Sequence, residues 1–182
     1  MYPYIRAAYV MLKARSLPPM DLYDTHVSHH RAWPWDTDMF GELNNGRILT
    51  LFELGRWQTT VRLGLIRPFL RGGLTLAVAG VSVRYRKRVP IFQKYRMQTR
   101  MLGYGERFFY VDQTMWQGET CMNQMLLRAA IRDKSGTVPP KVFLENMGMG
   151  TDQPGLPDWV KAWMEADDSR PWPPEIGPVY DN

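Results

Sequence analysis

The stretch Trp35-Asp36-Thr37-Asp38-Met39-Phe40-Gly41-Glu42-Leu43-Asn44-Asn45 sets three carboxylates and two asparagines close together. Hydrolysis of an acyl bond asks for a carboxylate or an activated water near the carbonyl, and for amide donors to the oxyanion that develops. A helix N-terminus supplies unpaired amides and the positive end of a dipole. Residues 41–46 read as the entry of a helix, with Asp38 a few positions upstream, so one loop can offer both parts. The same residue types have a plainer reading. Asp and Asn before a helix are ordinary capping residues, and Asp36 or Asp38 then only bonds backbone amides.

Other reactive residue types carry weaker signals. His26, His29 and His30 crowd together with no second cluster to complete a zinc site, and read as polar positions of an early strand. Cys121 has no local nucleophile signature, and Ser82 and Ser135 lie outside a nucleophile-elbow pattern. The basic run Arg84-Tyr85-Arg86-Lys87-Arg88, with Lys94, Arg96 and Arg100 after it, suits phosphate groups or an acidic protein as well as it suits a solvated face. Strand alternation would put Arg84, Arg86 and Arg88 on one side.

The elements that must position these residues follow from the apolar spacing. After Asn45, Ile48, Leu51, Phe52 and Gly55 recur at helical spacing, while Leu54, Trp57 and Val61 fill a second face. That predicts a long helix apolar over much of its circumference, capped by Asn44 or Asn45 and ended near Gly64 and Pro68. Phe52 and Trp57 are its candidates for a pocket wall. Ahead of it, residues 22–33 have strand character. Behind it, segments 74–88, 95–102, 108–116 and 120–132 alternate or are β-prone, with turn signals at Gly72-Gly73, Gly103-Tyr104-Gly105-Glu106 and Gln117-Gly118-Glu119. The order predicted is a strand, one long buried helix, and an antiparallel meander: an α+β fold.

Composition bounds the rest. At 182 residues, 45% hydrophobic and 13% aromatic, the chain can build one real core. A single cysteine excludes an internal disulfide and suits a reducing compartment, which places the chain in the cytoplasm. The net charge of +5 suits an anionic partner. No nucleic-acid motif accompanies it. Residues 1–19 read as an arm or helix, short for a membrane span but able to touch a membrane surface weakly. Residues 20–137 form the domain. Residues 138–182 are a Pro-rich appendage with one short helix near 158–166.

The motif from Asp36 to Ile48, followed by Glu53 and Arg56, resembles the signature of 4-hydroxybenzoyl-CoA thioesterase-like proteins, Asp-x-Asp-x-x-Gly-His-x-Asn-Asn and then a helix carrying Glu and Arg. Within that superfamily the chain looks most like the thioesterase superfamily member 6-like proteins. The resemblance spans roughly residues 20–135, and residues 99–110 are also similar to that group. It implies a hotdog fold, a sheet wrapped around one central helix, and hydrolysis of an acyl-CoA or acyl-carrier-protein thioester by a homodimer or homotetramer with sites between subunits. Asp38 matches the catalytic carboxylate, as nucleophile or base for water. Glu42 stands where the family has histidine. It adds like charge near Asp38, and suits either a second catalytic carboxylate or a non-catalytic module that only binds acyl-CoA or a carrier protein. Gly41, Leu43, Asn44, Asn45, Glu53 and the three arginines are the expected substrate-binding positions. No metal and no cofactor is expected beyond coenzyme A as part of the substrate. A hotdog dehydratase would need a placed His, and none follows Arg31.

Overall fold

The computed structural model describes residues 2–175 and 177. Its centre is helix α2 (Asn45–Arg62), whose Ile48, Leu51, Phe52, Leu54, Gly55 and Gln58 are buried. Gly55 shows how closely the sheet wraps it. A Cβ there would come within 2.6 Å of Thr99 Oγ1 and 2.7 Å of Met97 Sδ, so only glycine lets α2 lie this close to strand β3.

The sheet is antiparallel throughout and has the order β1-β3-β4-β5-β2, with β6 also pairing β5. Its strands are β1 (His26–Arg31), β2 (Thr75–Tyr85), β3 (Lys94–Tyr104), β4 (Phe109–Gln117), β5 (Thr120–Asp133) and β6 (Gly136–Val138). A curled sheet around one long helix is the hotdog arrangement. Strands β3, β4, β5 and the short β6 pair consecutively as a meander. Strand β2 crosses to the far edge and pairs with β5, because the connection after it is no hairpin turn: residues 89–91 bond instead with the loop before α2. Among the described residues the outer side of β2 is unpaired, and Leu76, Val78 and Val81 of this strand are 44%, 53% and 40% exposed.

Helix α1 (Tyr4–Arg15) buries Ala7, Val10 and Ala14, and the first two join the core around α2. Tyr4, Ile5, Tyr9 and Leu12 remain exposed. None of the described helices is long and apolar enough to cross a membrane. The end predicted for α2 near Pro68 is a separate helix, α3 (Ile66–Arg71), which accepts Pro68 because a first turn needs no amide there. The tail holds two helices where one was expected: α4 (Pro140–Asn146) starts on a proline for the same reason, and α5 (Asp158–Asp168) lies farther on. The last residues of the expected appendage lie outside the described residues. Val160 of α5 packs with Leu102, Tyr110 and Leu126, while Leu127 points into the core around α2. Strand β5 is therefore covered on both faces, which explains its almost continuous burial.

Candidate active site

The loop before α2 is a small hairpin. Thr37 pairs with Leu43, and the turn between them is closed by Asp38 N–H to Glu42 O (2.9 Å) and Gly41 N–H to Asp38 O (3.1 Å). Gly41 sits at φ 72, a conformation that favours glycine. Asp38 Oδ1 accepts the Phe40 amide at 2.9 Å, so part of the plain capping-type reading is realised. No hydrogen bond or ion pair engages Oδ2 among the described residues. Around the turn, Met39 and Phe40 are 90% and 76% exposed.

Asp36 has a different surrounding. Its side chain is fully buried and accepts Arg6 at 2.8 Å and Arg47 at 2.7 Å. Its carbonyl accepts the Asn44 amide at 3.1 Å, and the Trp33 amide reaches its Oδ2 at 3.3 Å. It anchors the loop between α1 and α2. Neither arginine was expected there, since they lie 30 residues before and 11 after it.

The helix entry differs in detail from the expectation. Asn44 is the cap, its side chain accepting the Arg47 amide at 3.1 Å. The amides of Gly41, Leu43 and Asn44 are committed to Asp38 O, Val89 O and Asp36 O, so they are not oxyanion donors, and the Leu43 side chain is core. Asn45 and Gly46 open the helix and carry first-turn amides with no acceptor inside it. The Asn45 carbonyl accepts the Tyr85 hydroxyl at 3.2 Å.

Glu42 and Arg88 form an ion pair at 2.9 Å, with Arg88 78% exposed. The three basic positions do not share a strand face. Strand β2 ends at Tyr85, and the amides of Arg86 and Lys87 both turn to Met122 O, which breaks the alternation after Arg84. Arg88 reaches the site loop, whereas Arg84 and Arg86 are simply exposed.

Deeper in the chain, Arg56 donates to Gln113 Oε1 at 2.7 Å, and Gln113 Nε2 donates to Phe52 O and Thr99 Oγ1, both at 2.8 Å. Burial pulls the Arg56 guanidinium down to about 10, against the opposing charges of Glu53 and Tyr2. Arg56 also borders an apolar cavity of about 90 Å³ among Leu63, Phe69, Leu76, Met101 and Phe109. Phe52 and Trp57 do not line it: Phe52 is wholly core, and Trp57 donates to the Tyr2 hydroxyl at 3.0 Å. The cavity begins about 16 Å along α2 from Asn45 at 1.5 Å per residue, so one chain alone does not join it to Asp38. The only sequence signal for Gln113 was a polar residue at an inward position of an aromatic strand. Among the described residues no three His, Cys, Asp or Glu side chains gather as metal ligands.

A model of the thioesterase-like superfamily matches residues 32–164. The chain belongs to that superfamily. Protein THEM6 of Xenopus laevis is 28% identical over 170 residues, covering 91% of this chain and 80% of that relative. Among thioesterase-like folds of known structure, a probable thioesterase from Bartonella henselae aligns with TM-score 0.57 and 22% identity over 64% of this chain and 97% of its own. The DHNA-CoA thioesterase of Staphylococcus aureus aligns with TM-score 0.59 and 17% identity over 79% and 91%. At these identities the structures speak for the fold alone.

Proposed function

We propose that this chain hydrolyses acyl thioesters of coenzyme A or a carrier protein, with Asp38 as the reacting carboxylate. The observation that carries the reading is the open Asp38 Oδ2 on a tight turn at the entrance of α2. In the base-assisted route, Oδ2 takes a proton from water as the water oxygen adds to the thioester carbonyl carbon. The first-turn amides of Asn45 and Gly46 hold the oxyanion. Collapse breaks the C–S bond, the thiolate takes the proton, and the products are a carboxylic acid and a free thiol. Arg88 and Glu42 border the reacting groups, and Glu53 sits on the helix beside Tyr2 and Arg56.

A homodimer completes this picture. The unpaired edge of β2 suits a second copy, and Leu76 stands on that edge while also lining the apolar cavity. A pair of chains joined there would bring each cavity to the seam, where an acyl chain from the other copy's loop could enter. The exposed Tyr4, Ile5, Tyr9 and Leu12 suit weak contact with a membrane surface, and the lone Cys121 suits the cytoplasm.

A second reading has its own observation. The Glu42–Arg88 ion pair occupies the position of the family histidine, which suits a module that binds acyl-CoA without turnover. Thiol release from a panel of acyl-CoAs separates the two. Hydrolysis is expected, and Asp38→Asn should lower kcat by about 10²-fold or more with Tm unchanged. Full activity in Asp38→Asn would remove the assigned role. Thermal stabilisation by acyl-CoA without thiol release would favour the binding module.

A further inference from the structure

The apolar cavity between the second half of α2 and the sheet holds a mismatch of charge. Aliphatic and phenyl side chains of the sheet, α3, α4 and the end of α2 form its walls. Its polar lining is Arg56 with Thr59, Thr60 and Thr99, and among the described residues no acid reaches it. The threonines are already engaged. Thr59 and Thr60 donate to Gly55 O at 3.0 Å and Arg56 O at 2.9 Å, and Thr99 Oγ1 accepts Gln113 at 2.8 Å. Arg56 is therefore the one charged group at a space of about 90 Å³.

That guanidinium is fixed on one side and open on the other. Nη1 donates to Gln113 Oε1, and Gln113 Nε2 spends both its hydrogens on Phe52 O and Thr99 Oγ1, so the amide is held in this orientation. Arg56 Nε and Nη2 have no partner among the described residues. Glu53, one turn earlier on α2, acts on Arg56 through its charge but makes no ion pair with it among the described residues. A cation drawn out of water is costly unless a counter-charge joins it. The free Nε–Nη2 edge is a planar fork that matches the two oxygens of a carboxylate, and the walls beside it match a hydrocarbon chain. We propose that this cavity binds an aliphatic carboxylate, with its head on the free edge of Arg56 and its tail along the apolar walls. A space of this size holds about four carbons of the chain next to the head. Two sources offer that chemistry: a free carboxylic acid, or the far end of a dicarboxylic acyl group on the substrate. Only the second rests on the thioesterase reading of Asp38.

Titration calorimetry of the full chain compares hexanoate with 1-hexanol, which has the same length and no charge. Saturable hexanoate binding is expected, at least about tenfold tighter than that of hexanol, as charge-assisted bonds confer. Arg56→Met should erase the preference, and Arg56→Lys, which keeps the charge without the fork, should retain part of it. Absence of saturable hexanoate binding to the parent chain overturns the proposal, as does equal affinity for the two ligands, and neither outcome depends on a variant folding. An undiminished preference in Arg56→Met with an unchanged circular-dichroism spectrum overturns it as well. Turnover then separates the sources. Acyl-CoAs of about four to twelve carbons are compared in pairs, with and without an ω-carboxylate. If the substrate supplies the group, the ω-carboxylated member has at least about tenfold higher kcat/KM at one length or more, and Arg56→Met reverses the order. If no length shows this while hexanoate binds, the source is a free acid. Hexanoate binding in a chain that releases no thiol would keep the site and remove the thioesterase reading. Thiol release without hexanoate binding would do the reverse.

Discussion

Two positions separate Asp36 from Asp38, and their surroundings differ completely. Asp36 is enclosed by Arg6 and Arg47, while Asp38 keeps one oxygen open on the turn. The turn and cap were legible in the sequence because Asp, Gly and Asn encode them locally. The division of labour was not, because Arg6 reaches Asp36 only through the tertiary fold. Gln113 belongs to the same class of hidden residue. Replacing it by Leu removes the acceptor of a partly buried arginine and the donor to Phe52 O and Thr99 Oγ1. A loss of about 2–4 kcal/mol is expected from such unmatched groups, read as a lower urea midpoint. An unchanged midpoint would mean water replaces the amide without cost.

Among the elements, α2 and strands β1 to β5 were readable from apolar period and β-propensity, whereas the short β6 was not, since residues 133–136 read as the end of the last strand. The place of β2 in the sheet was not, because alternation says that a segment is a strand and nothing about its neighbour. Helices α3 and α4 were hidden by Pro68 and Pro140, which signal a break in mid-helix and are harmless in a first turn. The β2 edge carries its own prediction. Val78→Lys with Val81→Lys places two charges on the exposed strand, so the double variant should sediment as a monomer where the parent chain is a dimer. A monomeric parent chain would end the dimer proposal.

Across the whole molecule, two buried histidines tie stability to pH. Burial lowers the pKa of His30 to about 3, with the charges of Arg6, His26, His29 and Lys13 adding to it. Burial also lowers that of His26, assisted by Arg62 and opposed by the Gln58 bond. His30 stays neutral in the folded chain while the unfolded chain takes up protons below about pH 6.5, and His26 is shifted in the same direction. Their contribution is therefore complete above that pH and is lost as pH falls towards about 3 for His30. For His30 alone the loss at pH 4.5 is about 2–3 kcal/mol. The urea midpoint should drop between pH 7.5 and 4.5, and less so in His30→Gln. Equal drops in both proteins would show that His30 does not carry the effect.

The Arg6–Asp36–Arg47 cluster has a consequence for local motion. Asp36 O also fixes the Asn44 amide, so the hairpin holding Asp38 cannot swing out without parting from either α1 or α2. Separating a buried carboxylate from one of two arginines costs several kcal/mol. Detachment of the N-terminal helix and opening of the loop thus form a single cooperative unit, and the lifetime of the poised Asp38 geometry is set by a residue near the start of the chain.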